Sequence, residues 1–230
     1  MQKNLIKVII FDLDDTLYEE KTFVESGFKA VSEYVGKQFK INKKEFLKIL
    51  IDILEKEGRG HIFDSALKRY NFYTKKLVDK LVKIYRFHKP NIQPYSGIRN
   101  LLKNLKKRYK LALITDGLGY VQRNKVKALK IEKLFNLILY TNDYGKKNSK
   151  PSSYPFKKAL KFFQIKPEEA IYIGDDPYKD FIGAKKLGVK TVRALQGRYK
   201  NTKAKRNFGA DYNVNKLIEI NKLLKSLTVS

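Results

Sequence analysis

Three short apolar runs in this chain each end in an acidic or hydroxylated residue, and this pattern limits the possible folds more than any other feature. Val8-Ile9-Ile10-Phe11 runs into Asp12 and Asp14, Leu111-Ala112-Leu113-Ile114 into Thr115 and Asp116, and Ala170-Ile171-Tyr172-Ile173-Gly174 into Asp175 and Asp176. Short apolar runs with helical stretches between them read as parallel strands buried on both faces. In an open α/β sheet, ligands bind in the crevice outside the carboxyl ends of the strands. Parallel strands therefore bring residues more than 160 positions apart to one edge. That edge holds several carboxylates, a hydroxyl and, from a nearby loop, Lys150. Such a set can bind a divalent metal and handle a phosphoryl group.

The order and spacing of these residues resemble the haloacid dehalogenase (HAD) superfamily in its phosphatase form. Phe11-Asp12-Leu13-Asp14-Asp15-Thr16-Leu17 is similar to the first motif of that family, and Leu113-Ile114-Thr115-Asp116-Gly117 to the second. Lys150, before Pro151, is similar to the third, and Ile173-Gly174-Asp175-Asp176-Pro177-Tyr178-Lys179-Asp180 to the fourth. One DxD pair is a weak signal, since acidic pairs are common in loops. Four motifs in order, three of them at strand ends, are a strong one, and the resemblance covers residues 5–215.

A carboxylate can attack phosphorus and form an acyl phosphate. Its approach to an anionic phosphate requires a cation that neutralises charge. Mg²⁺ takes oxygen ligands and keeps several waters, so one or two carboxylates suffice. Asp12 is assigned as nucleophile and metal ligand, and Asp175 as the second metal carboxylate. The resemblance implies that Asp14 meets the metal through its backbone carbonyl, which leaves its carboxyl as general acid and then base. Thr115 is expected to hydrogen-bond a phosphoryl oxygen, with Asp116 and Gly117 beside the substrate, and Lys150 to neutralise charge on the phosphoryl and Asp12. Asp180 is expected to orient Lys150 or the metal's water shell. Asp176 either joins it or caps a helix starting near Pro177.

Between the first two runs, helical periodicity extends from about Lys21 to Phe87, with breaks at Gly36, Gly58-Arg59-Gly60 and Asn71, and ends at Pro90 and Pro94. Its apolar faces are Phe23, Phe28, Val31, Tyr34 and Val35; Phe46, Ile49, Leu50, Ile53 and Leu54; and Leu77, Leu81, Ile84 and Tyr85. A single crossover needs far fewer residues. The expected fold class is α/β: a doubly wound, mainly parallel, Rossmann-like core over residues 1–17 and 94–230, with a smaller all-helical domain at 18–93 inserted after the first strand. The resemblance implies that this insertion is a cap of the C1 type. Arg59, between two glycines, is the first candidate for a leaving-group contact, ahead of His61, Arg69 and His88. Tyr18 and Tyr120 are placed at the site entrance. After Pro94, helices are expected at Ser96–Tyr109, Leu118–Leu129, Pro155–Phe163, beyond Asp175 to a C′ glycine at Gly188, and at Lys216–Leu227. Strands are expected at Leu111–Thr115, Leu137–Thr141, Ala170–Asp175, Lys190–Ala194 and Ala210–Val214.

The chain has no cysteine, which excludes disulfides and thiolate metal sites, and two histidines make a His-rich zinc site a poor reading. No run approaches a membrane span and no export signal is visible, so a cytoplasmic protein without a membrane partner is expected. The formal charge of +27 over 230 residues speeds the approach of any anionic substrate. Of the two densest basic runs, Lys103–Lys110 reads as the solvated face of an amphipathic helix, and Arg198–Arg206 as a loop able to touch a polyanion. The function expected is a Mg²⁺-dependent phosphatase of a small phosphorylated metabolite, which the resemblance implies is sugar-phosphate-like, acting through an aspartyl phosphate on Asp12. The alternatives are a phosphomutase of the same fold, and a basic protein that binds nucleic acid or removes phosphate from its ends.

Overall fold

The computed structural model describes residues 5–205 and 208–229. Arg206, the end of the second basic run, and the opening residues 1–4 lie outside the described residues. The chain divides into two compact units, one formed by residues 1–20 and 93–230 and the other by residues 21–92.

The larger unit is built on a six-stranded parallel sheet: β1 (Val8–Phe11), β2 (Lys110–Thr115), β3 (Leu137–Tyr140), β4 (Ala170–Gly174), β5 (Lys190–Ala194) and β6 (Tyr212–Val214), in the order β3-β2-β1-β4-β5-β6. This is the doubly wound order, and its switch point lies at β1, between β2 and β4. Alternate residues serve the two faces. Val8, Ile10, Ala112, Ile114 and Tyr172 join one buried cluster with Phe156 and Phe181, while Ile9, Phe11, Leu111 and Leu113 are buried on the other face. Strands covered on both sides need no polar alternation, which is why they read as continuous apolar runs.

The smaller unit contains α1 (Glu20–Phe39, its first residue falling in the larger unit), α2 (Lys43–Glu57), α3 (Ile62–Arg69) and α4 (Lys75–Phe87). Phe28, Val31, Val35, Phe46, Leu50, Ile53, Leu67, Val78 and Leu81 form its core. Asn42 and Thr74 start α2 and α4 by accepting the orphan N–H groups of Lys44 and Leu77 at 2.9 and 3.1 Å. Gly36 does not break α1, contrary to expectation. A Cβ there would lie 3.1 Å from the Ile41 carbonyl and 3.0 Å from Lys43 Cβ, so the glycine serves the return of the chain into α2. Val78, rather than Leu77, is the buried residue beside Leu81.

The larger unit adds α5 (Ile98–Lys106), α6 (Gly119–Ala128), α7 (Tyr154–Phe163), α8 (Asp180–Lys185) and α9 (Ile220–Val229). On α5, Leu101, Leu102 and Leu105 are buried while Lys103 and Lys106 are exposed, as an amphipathic helix requires, but the rest of the Lys103–Lys110 run, from Lys107 on, lies beyond the helix end, with Lys110 opening β2. Gly188, at φ 88°, is the C′ residue after α8: its N–H bonds the Lys185 carbonyl and the Val189 N–H that of Ala184. Among the described residues no helix is long and apolar enough to cross a membrane.

Candidate active site

The larger unit gathers the singled-out acids at the carboxyl ends of β1, β2 and β4. Phe11 pairs with Leu113 on one side and Ile173 on the other, so the residues just beyond it converge on the switch-point crevice. The Asp12 N–H donates to the Ile173 carbonyl at 2.8 Å, extending the β4 pairing by one residue and fixing where the Asp12 carboxyl begins.

Lys150 is fully withdrawn from solvent, and its ammonium donates in three directions: to Asp12 Oδ1 at 2.5 Å, Asp180 Oδ1 at 2.8 Å and the Tyr172 hydroxyl at 2.9 Å. Burial alone would lower its pKa, but Asp12 and Asp180 outweigh that and hold it well above the ordinary lysine range. Asp180 Oδ2 accepts the backbone N–H groups of Asp175 and Asp176 at 3.1 and 3.0 Å, and Asp180 Oδ1 also accepts the Tyr172 hydroxyl at 3.1 Å. Burial raises the Asp180 pKa, yet Lys150 and Lys179 bring it below the usual carboxylate value. Asp180 thus orients Lys150 and the turn that presents Asp175. Gly174 is required here because any Cβ would overlap the Asp180 carboxyl. Asp176 Oδ1 accepts the Tyr178 N–H at 2.9 Å in a turn, and the helix starts at Asp180 rather than near Pro177.

Asp12, Asp175 and Asp180 offer carboxylate oxygens within 4.8 Å of one another. Both Asp180 oxygens are already engaged by donors, which leaves Asp12 and Asp175 to face an ion. Asp175 is buried, with one long hydrogen bond from Thr16 Oγ1 at 3.5 Å, and the largest charge effects on its carboxyl come from other carboxylates. Burial, then Asp180 and Asp12, push its pKa up to about 10. Burial likewise lifts Asp12 to about 7 against the pull of Lys150. Buried carboxyls crowded in this way call for a cation, and the all-oxygen donors suit a hard one such as Mg²⁺.

Asp14 forms a second cluster. Its Oδ1 accepts from Lys125 Nζ at 2.7 Å and from the Tyr18 hydroxyl, and its Oδ2 from Gln122 Nε2 at 2.9 Å. Burial raises its pKa, but Lys125 and these hydrogen bonds bring it below the ordinary value. Thr115 is buried and accepts from Gln122 Nε2 at 2.5 Å. Asp116 Oδ1 accepts from the Thr141 hydroxyl at 2.7 Å and the Lys150 N–H at 3.3 Å, which ties the Lys150 loop to the end of β2. Gly117, at φ 123°, turns the chain into α6. Tyr18 lines no entrance: it is fully buried. Arg59 lies in the helical unit, in the loop between α2 and α3, where it lines a cavity of about 320 Å³ with Phe28, Phe63, Tyr85 and Arg86. His61 is exposed at the start of α3, and His88 is buried with Nδ1 donating to the Tyr85 carbonyl at 2.6 Å.

Residues 9–194 match the sequence model of the haloacid dehalogenase-like hydrolases. The chain belongs to this family. It is 34% identical over 229 residues to the glyceraldehyde 3-phosphate phosphatase of Methanocaldococcus jannaschii, spanning 97% of this chain and 99% of that one. It is also 34% identical over 226 residues to the enzyme of the same name from Pyrococcus furiosus, spanning 96% and 93%. The magnesium-bound crystal structure of the HAD-hydrolase YfnB of Bacillus subtilis superposes with a TM-score of 0.68 over 96% of this chain and 99% of that one. At 19% identity that likeness speaks for the fold alone. The resemblance seen in the motifs therefore holds, and with it the enzyme class.

Sequence reasoning missed Gln122, Lys125, Tyr172 and Arg193. Arg193 is buried on β5, where its guanidinium donates to the carbonyls of Asp175 at 3.1 Å, Tyr199 at 2.6 Å and Thr202 at 2.9 Å, bracing the turn beyond β4. Lys125 was hidden among 50 basic residues. Gln122 left a signal, being polar and three and four positions before Lys125 and Val126 on the inward face of α6.

Proposed function

We propose that this hydrolase is a Mg²⁺-dependent phosphatase of a small phosphomonoester, of the triose-phosphate kind named in its 34%-identical relatives. The observation that carries the reading is the Asp12 carboxyl, held by Lys150 at a switch-point crevice across from the crowded, cation-seeking Asp175. Asp12, Asp175 and the Asp14 backbone carbonyl are the groups that would hold the ion. When bound, it neutralises phosphoryl charge and lets an anionic nucleophile approach.

The rest of the chemistry falls to side chains. Asp12 attacks phosphorus as the ester P–O bond breaks, and Asp14, in the protonated form that its low pKa makes the minor one, delivers that proton to the departing alkoxide, leaving an aspartyl phosphate and a free alcohol. Asp14 then takes a proton from water as the water oxygen bonds phosphorus and the Asp12–phosphorus bond breaks, which restores both carboxyls and releases phosphate. Lys150 keeps the attacking carboxyl oriented and offsets charge on the phosphoryl oxygens. The four-helix unit is read as the cap expected from its place in the sequence, with Arg59 as candidate leaving-group contact.

The test is phosphate release from a panel of phosphorylated metabolites, with Mg²⁺ and with chelator, beside Asp12→Asn. Chelator-sensitive release that disappears in the variant supports the reading. Release undiminished in Asp12→Asn, with deamidation excluded by mass, overturns it.

A further inference from the structure

Helix α6 buries two polar side chains on the face that carries Val126: Gln122 is 2% exposed and Lys125 4%. A lysine this deep is costly unless its charge is used. Both side chains reach Asp14, 108 and 111 positions away in sequence. The Gln122 carboxamide does more. Its nitrogen also donates to Thr115 Oγ1 at 2.5 Å, so one amide spans the loop after β1 and the end of β2. With acceptors on both sides, the –NH₂ group must face them, which fixes the amide orientation. Thr115 Oγ1 then acts as acceptor toward Gln122, and its own proton is left for another acceptor.

We propose that Gln122 and Lys125 are positioning residues for catalysis. Lys125, with Tyr18, holds Asp14 Oδ1 and Gln122 holds Asp14 Oδ2, so the carboxyl that shuttles the proton is kept in one orientation, at a separation from the Thr115 hydroxyl set by a single carboxamide. The role assigned to Asp14 rests on the phosphatase reading above. The physical reason for such a brace is that proton transfer in a transition state tolerates little misplacement of the acid.

The experiment compares Lys125→Met, Lys125→Arg and Gln122→Met on two substrates, with Asp14→Asn as reference. Glyceraldehyde 3-phosphate leaves as an alkoxide that needs a proton, whereas p-nitrophenyl phosphate leaves as a stable anion. Because kcat/KM reports only the first displacement, Lys125→Met should lose about 10²-fold in kcat/KM on the triose phosphate and less than about 10-fold on the aryl ester, on the scale of general acid catalysis. Lys125→Arg should recover part of the loss. In the Asp14→Asn background, Lys125→Met should cost less than about 3-fold more, because residues acting through one group are non-additive. Equal losses on both substrates, or full additivity with Asp14→Asn, would make both residues merely structural. A crystal structure of Lys125→Met tests the brace without turnover: Asp14 displaced from its wild-type position supports it, and Asp14 unmoved overturns it. If wild-type protein hydrolyses neither ester, the phosphatase reading fails, and the brace is judged on that structure.

Discussion

Replacing Lys150 by Met keeps the length of the side chain and removes its charge. In the wild-type protein that charge lies between Asp12 at 2.5 Å and Asp180 at 2.8 Å, with no solvent to take its place. Removing one partner of a buried pair costs about 3–5 kcal/mol, because the carboxylate left behind is buried and uncompensated. Here two carboxylates are left facing one another beside Asp175, which argues for the upper half of that range. At about 2–4 °C per kcal/mol for a protein of this size, Tm in chelator should fall by roughly 8–20 °C. The deficit should depend on pH with a definite sign. Asp180 has a depressed folded pKa, so it contributes stability above the unfolded carboxylate value that is lost as pH falls, and that contribution depends on Lys150. The gap between wild type and variant should therefore be fully present at pH 7 and close only as pH falls below about 4, toward the depressed folded pKa of Asp180. Circular dichroism melts at five pH values read it directly. A Tm within about 2 °C of wild type at pH 7.5, or a gap independent of pH, would refute the electrostatic account of Lys150.

Metal-free wild-type protein should itself lose stability as pH rises from 5 to 9. Asp12 and Asp175 are lifted to about 7 and about 10, so the folded state binds more protons than the unfolded one through that window. A flat or rising Tm in chelator would contradict this, and Mg²⁺ should oppose the loss increasingly toward high pH. Asp175→Asn removes the carboxyl whose ionisation the fold resists most. It should raise the chelator Tm above wild type at pH 8 while abolishing the Mg²⁺-induced rise, and an unchanged Mg²⁺ response would remove Asp175 from the metal site. Gly183→Ala sets helix propensity against packing: alanine gains about 1 kcal/mol in a helix, but its Cβ would lie 2.5 Å from the Ser152 carbonyl and 2.7 Å from that of Pro151. Overpacking of about 1–3 kcal/mol should win, lowering Tm and disturbing the Lys150 loop, and a more stable variant would show that α8 gives way freely.

How far the sequence could be read depended on how local each signal was. The strands were legible because burial on both faces forces unbroken apolar runs, and their ends were legible because acidic residues stop them abruptly. Asp12, Asp175, Thr115 and Lys150 stood out by position: three at strand ends, one before Pro151. Gly36 misled because a glycine required by close approach looks in sequence like one that breaks a helix. Pro177 misled likewise, since the Asp176 turn delays the helix to Asp180.

By itself the sequence determined the βα alternation, the helical insertion, the family and the residues that carry charge to the sheet edge. All of these follow from short-range periodicity and from the order of motifs along the chain. Only the tertiary structure decided which of the 50 basic side chains became Lys125, that both oxygens of Asp180 are committed to holding Lys150 and the β4 turn, and that a buried glutamine joins Asp14 to Thr115. The reason is physical. A polar side chain's role is set by what it can pair with once water is excluded, and for Gln122, Lys125 and Lys150 the deciding partners Asp14 and Asp180 lie 30 to more than 100 positions away in sequence, where no local pattern records them.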